Sequence, residues 1–133
     1  MIEAKLRVIY GDTDQMGVVY YANYFRFFEF ARGEFFRQKG ASYVTFEKQG
    51  YGMPVIEAHA NYRAPARYED LLIIKLWVDS CRRASVTFKY EVRREGSDDI
   101  LTEGHTIHAC INKEGRPTKM TQEMLDVLGV KPS

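Results

Sequence analysis

The sequence has little cysteine and no long hydrophobic run. Cys81 and Cys110 are the two cysteines in 133 residues, too few for the several disulfides that a small secreted domain usually needs. Nowhere do roughly 18 apolar residues follow one another, and the first residues interleave charged with apolar side chains, unlike a signal peptide. These absences predict a cytoplasmic protein without a membrane span, in which both cysteines are reduced and packed.

An excess of positive charge is also missing. Nineteen Lys and Arg residues oppose eighteen Asp and Glu residues, which leaves a formal net charge of +1. Proteins that hold nucleic acid or an anionic membrane through bulk charge need a much larger excess. The sequence therefore predicts no nucleic-acid partner, and any site for an anionic group must be local.

The chain has enough apolar residues for one hydrophobic core. Hydrophobic residues make up 45% of the sequence and charged residues 28%, close to the usual composition of globular proteins. A length of 133 residues, without an internal repeat or a linker, predicts one domain that spans residues 1–133.

Alternating apolar and polar residues predict five strands. The first strand ends at about Tyr10, and the others span residues 54–64, 71–81, 84–94 and 100–112. In the second strand, one face carries Ile56, Ala58, Ala60 and Tyr62. Short breaks at residues 82–83 and 96–99 predict hairpins, so the last three strands should form an antiparallel meander.

One long helix is predicted over residues 22–39, with apolar residues on nearly every side. Asn23 is the candidate N-cap, Gly40 follows the end, and a short terminal helix is expected at Gln122–Leu128 after a cap at Thr121. The order β-α-β-β-β-β with a short C-terminal helix predicts an α+β hotdog fold, a five-stranded antiparallel sheet wrapped around one central helix. A cystatin-like sheet has nearly the same element order and is the alternative.

The segment between the first strand and the long helix carries the candidate catalytic group. Asp12 and Asp14 precede a helix N-terminus, whose free N–H groups would stabilise negative charge on an acyl carbonyl oxygen. Gly17 permits close backbone approach, and Asp14, nearer the helix, is suited to attack an acyl carbon or to orient water. The alternative is that both aspartates only form turns.

Two segments of the sequence resemble a known family. Residues 11–24 read Gly-Asp-Thr-Asp-x-x-Gly-Val-Val-Tyr-Tyr-Ala-Asn-Tyr, with Phe-Phe-Glu-Phe-Ala-Arg soon after, and resemble the 4-hydroxybenzoyl-CoA thioesterase family of hotdog acyl-CoA thioesterases. Residues 62–70, Tyr-Arg-Ala-Pro-Ala-Arg-Tyr-Glu-Asp, are similar to the segment before the family's third strand. The Tol-Pal-associated subgroup is the nearest, although it usually has His where this chain has Tyr21.

The resemblance implies an enzyme that hydrolyses acyl-CoA thioesters. It implies that Asp14 is the catalytic carboxylate, that the backbone N–H of Tyr21 polarises the thioester carbonyl, and that Gly17 and Val18 lie beside the substrate. CoA enters as part of the substrate, with no metal or other cofactor, and the chain is expected to form a homodimer or homotetramer. The alternative is a noncatalytic hotdog module that binds acyl-CoA or a protein.

Basic residues away from this loop are candidates for binding the CoA phosphates. Arg82 and Arg83 occupy a predicted hairpin, where guanidinium groups would suit phosphate. A second basic cluster contains Lys113, Arg116 and Lys119.

The remaining polar candidates lie on predicted strands and on the long helix. None of His59, His105 and His108 has a second ligand at metal-binding spacing, so they are expected to be solvated or hydrogen-bonded strand residues. His59 shares a polar strand face with Glu57, Asn61 and Arg63, and in a hotdog dimer this face could approach the partner subunit's site. On the helix, Glu29 and Arg32 are three residues apart and predict an ion pair.

Overall fold

Five strands form a single antiparallel sheet in a computed structural model that describes residues 1–131. The strands are β1 (Ile2–Arg7), β2 (Val55–Tyr62), β3 (Leu71–Arg82), β4 (Ser85–Arg94) and β5 (Ile100–Ala109), in the spatial order β1-β3-β4-β5-β2. The predicted meander of the last three strands is confirmed, and β1 and β2 form the two edges of the sheet.

The long helix α1 (Asn23–Gln38) packs across the inner face of the sheet. Its buried residues recur every three or four positions, as on one face of a helix: Tyr24, Phe27, Phe28, Ala31, Phe35 and Phe36. Sheet and helix together give the predicted hotdog arrangement. Two short helices complete the fold, α2 (Tyr43–Lys48) and α3 (Gln122–Leu128).

A close helix–sheet contact depends on a glycine. The ring of Phe28 stacks on Tyr90 with centroids 4.2 Å apart and planes 10° apart. Gly104 lies opposite Tyr90 in β5, and a Cβ atom there would approach Phe28 Cε2 to 2.9 Å. The missing side chain therefore lets α1 lie directly on the centre of the sheet.

Several predicted boundaries differ from the structure. The first strand ends at Arg7 instead of Tyr10, because the chain turns into a 3₁₀ segment at Tyr10–Asp12. Asn23 is the first helical residue and not the N-cap, since its side-chain amide donates to the Asp12 carbonyl at 2.8 Å. The predicted start of α3 is confirmed, with Thr121 Oγ1 accepting the Met124 N–H at 3.1 Å.

The enclosure predicted for the long helix and the burial suggested for β2 are absent from a single chain. Phe25 is 37% exposed and Ile56 is 62% exposed. Every β2 residue is exposed except Ala60, which is half-buried, because β2 is an edge strand. None of the helices within residues 1–131 has the length and apolar character needed to cross a membrane.

Candidate active site

The loop between β1 and α1 is a small antiparallel hairpin. The Asp14 N–H donates to the Val18 carbonyl at 2.9 Å, and the Tyr20 N–H donates to the Asp12 carbonyl at 2.9 Å. Gly17 closes the turn with a φ of 79°, in the left-handed region that favours glycine, and donates to the Asp14 carbonyl at 3.0 Å. The loop therefore holds Asp14 at its tip.

Asp14 has a half-buried carboxylate with one free oxygen. Its Oδ1 atom accepts the Met16 N–H at 2.9 Å. This hydrogen bond forms an Asx turn, as expected if the two aspartates only form turns. Its Oδ2 atom has no hydrogen-bond or ion-pair partner in the part of the chain that the structure describes. The same carboxylate can thus shape the turn and still offer an oxygen to a substrate or a water.

The start of α1, which follows this loop in the sequence, offers free N–H groups. The backbone N–H groups of Tyr21 and Ala22 have no acceptor among residues 1–131. The Tyr62 hydroxyl donates to the Tyr21 carbonyl at 3.0 Å and so fixes the peptide group that joins Tyr21 to Ala22. Sequence reasoning missed Tyr62, although it lies in the second of the two resembling segments.

Partly exposed tyrosines surround the helix start. The Tyr20 and Tyr21 rings lie 4.7 Å apart, and the Tyr21 and Tyr62 rings lie 6.2 Å apart, between centroids. The side-chain hydrogen bond with Tyr21, and further the negative charge of Asp14, raise the pKa of Tyr20. Burial raises the pKa of Tyr62. These two phenols are therefore neutral near pH 7, which leaves Asp14 as the charged group of this loop tip.

Asp12 lies in a different environment from Asp14. It is 3% exposed, and its Oδ1 atom forms an ion pair with Arg26 of α1. Its Oδ2 atom accepts the Ile9 N–H at 3.0 Å. Both carboxylate oxygens of Asp12 therefore bind other parts of the chain, and neither is directed to solvent.

The two sequence segments that carry the family resemblance are neighbours in space. The Val19 N–H donates to the Ala66 carbonyl at 2.8 Å, and Val18 forms an isolated antiparallel bridge with Arg67. The segment before β3 therefore backs the hairpin that carries Asp14.

A cavity of about 410 Å³ opens beside α1, near the start of β2. Its lining is mostly apolar and consists of Glu29, Arg32, Gly33, Phe36, Tyr43, Met53, Pro54, Val55, Phe88 and His108. The predicted Glu29–Arg32 ion pair is wrong: Arg32 Nη1 instead donates to the Tyr90 hydroxyl at 3.0 Å, across the core. A guanidinium group therefore borders this cavity without a carboxylate partner in the described chain.

Arg32 begins a chain of buried hydrogen bonds. Tyr90 Oη lies 2.6 Å from Thr106 Oγ1, which lies 2.8 Å from His108 Nε2. His108 Nδ1 lies 2.9 Å from the Met53 carbonyl oxygen, which can only accept. Burial lowers the pKa of His108 to about 4 and raises that of Tyr90, so both are neutral near pH 7.

The Arg32 donor at one end of this hydrogen-bond chain and the Met53 carbonyl acceptor at the other determine where the protons between them lie. Because the Met53 carbonyl accepts, the His108 proton is on Nδ1 and Nε2 accepts from Thr106. Tyr90 accepts from Arg32 and so donates to Thr106. Each of these four hydrogen bonds then has one donor and one acceptor, and Arg32 Nη1 is the first donor.

The other predicted site residues lie away from Asp14 within one chain. Arg82 ends β3 and Arg83 follows it, at the end of the sheet opposite to the Asp14 loop. The cluster of Lys113, Arg116 and Lys119 follows β5 at this same end. His59 lies on the outer face of β2 and stacks on His105, with ring centroids 5.4 Å apart.

The histidines are solvated or hydrogen-bonded, as expected, and both cysteines are packed in the interior. His105 Nε2 lies 2.6 Å from Glu57 Oε2, and His108 has the two partners given above. Cys81 and Cys110 are buried and form no disulfide with each other. Residues 1–131 contain no group of three or more His, Cys, Asp and Glu side chains that could hold a metal ion.

Comparison with known proteins identifies the family. A family model described as the thioesterase-like superfamily matches residues 8–128. The acyl-CoA thioester hydrolase YbgC of Escherichia coli O157:H7 is 32% identical over 120 residues, which cover 90% of this chain and 86% of that protein.

Solved structures agree with this match. The crystal structure of a hypothetical protein from Aquifex aeolicus has a TM-score of 0.91 at 33% identity and covers 96% of this chain and 99% of its own. The DHNA-CoA thioesterase from Staphylococcus aureus has a TM-score of 0.88 at 30% identity, with 96% and 87% of the two chains covered. This chain therefore belongs to the thioesterase-like superfamily, whose hotdog fold it shares.

Proposed function

We propose that this protein hydrolyses acyl-CoA thioesters to a free acid and CoA, with Asp14 as the catalytic carboxylate. The observation that carries the proposal is the free Oδ2 atom of Asp14 in the loop that leads directly to the unpaired N–H of Tyr21. The names of the relatives in Escherichia coli and Staphylococcus aureus support the reaction class. Membership of the Tol-Pal-associated subgroup stays a prediction.

Two routes use this geometry. In one, an Asp14 oxygen attacks the thioester carbon, the CoA thiolate leaves, and water hydrolyses the resulting anhydride. In the other, Asp14 accepts a proton from the water that attacks the same carbon. In both routes the carbonyl oxygen gains negative charge, which the Tyr21 N–H at the helix start stabilises. Gly17 and Val18 border the bound thioester.

The acyl group and the CoA phosphates are assigned to the other end of the fold. The apolar cavity beside α1 has a volume that suits a small organic group. Arg82 and Arg83 lie at this end of the sheet and would bind phosphate. Because Asp14 lies at the opposite end of the same chain, a complete site requires a second copy.

The β2 edge provides the contact between two copies. Antiparallel pairing of β2 with its copy would bring the Val55 end of one strand beside the Tyr62 end of the other. Tyr62 contacts the helix start, whereas Val55 lines the cavity. Exposed apolar side chains along β2 favour such a covered edge in a homodimer or a homotetramer of paired dimers. His59, on the outer face of β2, would then lie near this contact.

The proposed reaction needs no metal or redox cofactor, because a carboxylate and backbone N–H groups supply the nucleophilic or basic group and the oxyanion donor. CoA takes part only as the leaving group. The cytoplasm is the proposed location, because a small domain with only two cysteines is typical of a reducing compartment.

A noncatalytic module that binds acyl-CoA or a protein is the second candidate. The Asx turn made by Asp14 Oδ1 favours it, because a turn-forming aspartate needs no catalytic role. Turnover of a panel of acyl-CoA thioesters separates the two candidates.

The test is Asp14→Asn, assayed by release of free CoA. Asparagine keeps an Oδ1 acceptor for the Met16 N–H, so the loop should retain its shape while the charge is lost. We expect kcat to fall by about 100-fold or more, the range for a lost catalytic base. Asp99→Asn, at an exposed turn, is the matched control and should keep wild-type turnover. Near-native turnover of Asp14→Asn would contradict the mechanism.

A further inference from the structure

We propose that Asp12 is a positioning residue for thioester hydrolysis, which it serves by locking the loop that carries Asp14 to the helix start through Arg26. The inference rests on the proposed function, since it concerns the same reaction. Asp12 itself has no access to a substrate, because its side chain is 4% exposed.

Asp12 ties together three segments of the chain. Its Oδ2 atom accepts the Ile9 N–H at 3.0 Å, just after β1. Its carbonyl oxygen accepts the Tyr20 N–H at 2.9 Å and the Asn23 side-chain amide at 2.8 Å. Its Oδ1 atom pairs with Arg26 in the first turns of α1.

The residues that Asp12 contacts lie on either side of both proposed reacting groups, the Asp14 carboxylate and the Tyr21 N–H, and Asp12 contacts neither group. Asp14 follows Asp12 by two residues, and Tyr21 lies between Tyr20 and Asn23, which Asp12 holds. A shift of the Asp12 carboxylate would therefore move the catalytic carboxylate relative to the oxyanion donor. Small misplacements of this kind reduce the rate of chemistry more than they reduce binding.

The ion pair is asymmetric in its exposure. The Asp12 side chain is almost fully buried, whereas the Arg26 side chain is 53% exposed. The guanidinium group reaches the buried carboxylate from the solvent side, with its carbon 5.1 Å from the Phe27 ring centroid. If Arg26 is shortened, a guanidinium ion from solution can occupy the vacated position and neutralise the carboxylate. That chemical rescue separates positioning from a general loss of helix stability.

The experiment compares Arg26→Ala with Arg37→Ala, measured as kcat and KM with and without guanidinium chloride below unfolding concentrations. Arg37 is a matched control, because it pairs with Glu34 on the same helix and is 61% exposed. We expect Arg26→Ala to lower kcat by about 10- to 100-fold with little change in KM. Added guanidinium should restore part of kcat, whereas potassium chloride at equal ionic strength should not. Arg37→Ala should behave as the wild type.

Arg26→Lys is the second variant, because it keeps the charge while losing the planar fork. Its loss of kcat should be smaller than that of Arg26→Ala. The inference is overturned if Arg26→Ala keeps its kcat, or if its loss is neither relieved by guanidinium nor smaller in Arg26→Lys. A wild-type protein that hydrolyses no thioester would overturn the proposed function instead. Active wild type, inactive Asp14→Asn and fully active Arg26→Ala together would overturn this inference alone.

Discussion

At the scale of single residues, His108 links the protein's stability to pH. It lies 4% exposed at the end of the buried hydrogen-bond chain, and burial lowers its pKa from 6.5 to about 4. The unfolded chain therefore binds a proton between these pH values while the folded chain does not. The stabilisation is present above about pH 6.5 and is lost as the pH falls toward 4.

We predict that His108→Gln flattens this dependence, because glutamine offers a donor and an acceptor but does not titrate. In the wild type, about 3 kcal/mol of unfolding free energy should disappear between pH 7 and pH 4 through this group. Urea unfolding at several pH values measures it. Equal slopes for wild type and variant would show that His108 has the same pKa in the folded and unfolded states.

The two aspartates show which residue-scale features a sequence can predict. The turn role of Asp14 follows from local spacing, since its partner Met16 is two residues away. The role of Asp12 depends on Arg26, fourteen residues later on another element. Burial of the Asp12 carboxylate follows from the packing of α1 against the loop, which local sequence does not encode.

At the scale of elements, the contact between α1 and the sheet depends on the absence of a side chain at Gly104. A Cβ there would clash with the His59 carbonyl oxygen on β2 and would lie 2.9 Å from Phe28 Cε2. Neither neighbour can retreat easily, since one is strand backbone and the other stacks on Tyr90. The glycine thus sets both the β2–β5 spacing and the depth of α1.

We predict that Gly104→Ala lowers the unfolding free energy by about 1 to 3 kcal/mol, the usual cost of overpacking a core. Gly11→Ala is the control, because the added Cβ would have its nearest neighbour at 3.9 Å. Thermal and urea unfolding of both variants provide the measurement. A Gly104→Ala protein as stable as Gly11→Ala would mean that β2 or Phe28 shifts without cost.

Element boundaries were predictable where a local signal exists. Thr121 and Gly129 frame α3 as the sequence predicts, because a hydroxyl cap and a left-handed glycine act within one turn. The six-residue helix α2 was missed, since one and a half turns give too short a periodic pattern. Its Ser42 cap, which accepts the Val44 N–H at 3.2 Å, is the signal that could have revealed it.

At the scale of the whole molecule, the pairing of edge strands limits what pattern reading can predict. The meander of β3, β4 and β5 follows from short hairpins, whereas β2 pairs with β5 and β1 with β3 across long stretches of sequence. Alternation assigned one apolar face to β2 but could not reveal that this strand lies at an exposed edge. The family resemblance resolved the choice between the hotdog and cystatin-like arrangements, which the element order left open.

The separation of Asp14 from Arg82 and Arg83 within one chain leads to a prediction about mixed assemblies. If each site takes Asp14 from one copy and the arginines from the other, then two defective variants should complement each other. A dimer of Asp14→Asn with a chain carrying Arg82→Ala and Arg83→Ala contains one intact site and one doubly defective site. Random pairing of equal amounts should restore about one quarter of the wild-type sites.

The two variants are co-expressed, or unfolded and refolded together, and assayed below the KM of the wild type, where lost phosphate contacts are most visible. Sedimentation checks that the mixture forms the same assembly as each parent. Each variant refolded alone and then combined without exchange is the control, since its activity should equal the mean of the parents. Activity that rises above this mean only after subunit exchange would support a shared site, because no intact site can form within either chain. If the activity of the co-refolded mixture stays at the mean, then either one chain alone carries both catalysis and phosphate binding, or Arg82 and Arg83 do not bind CoA.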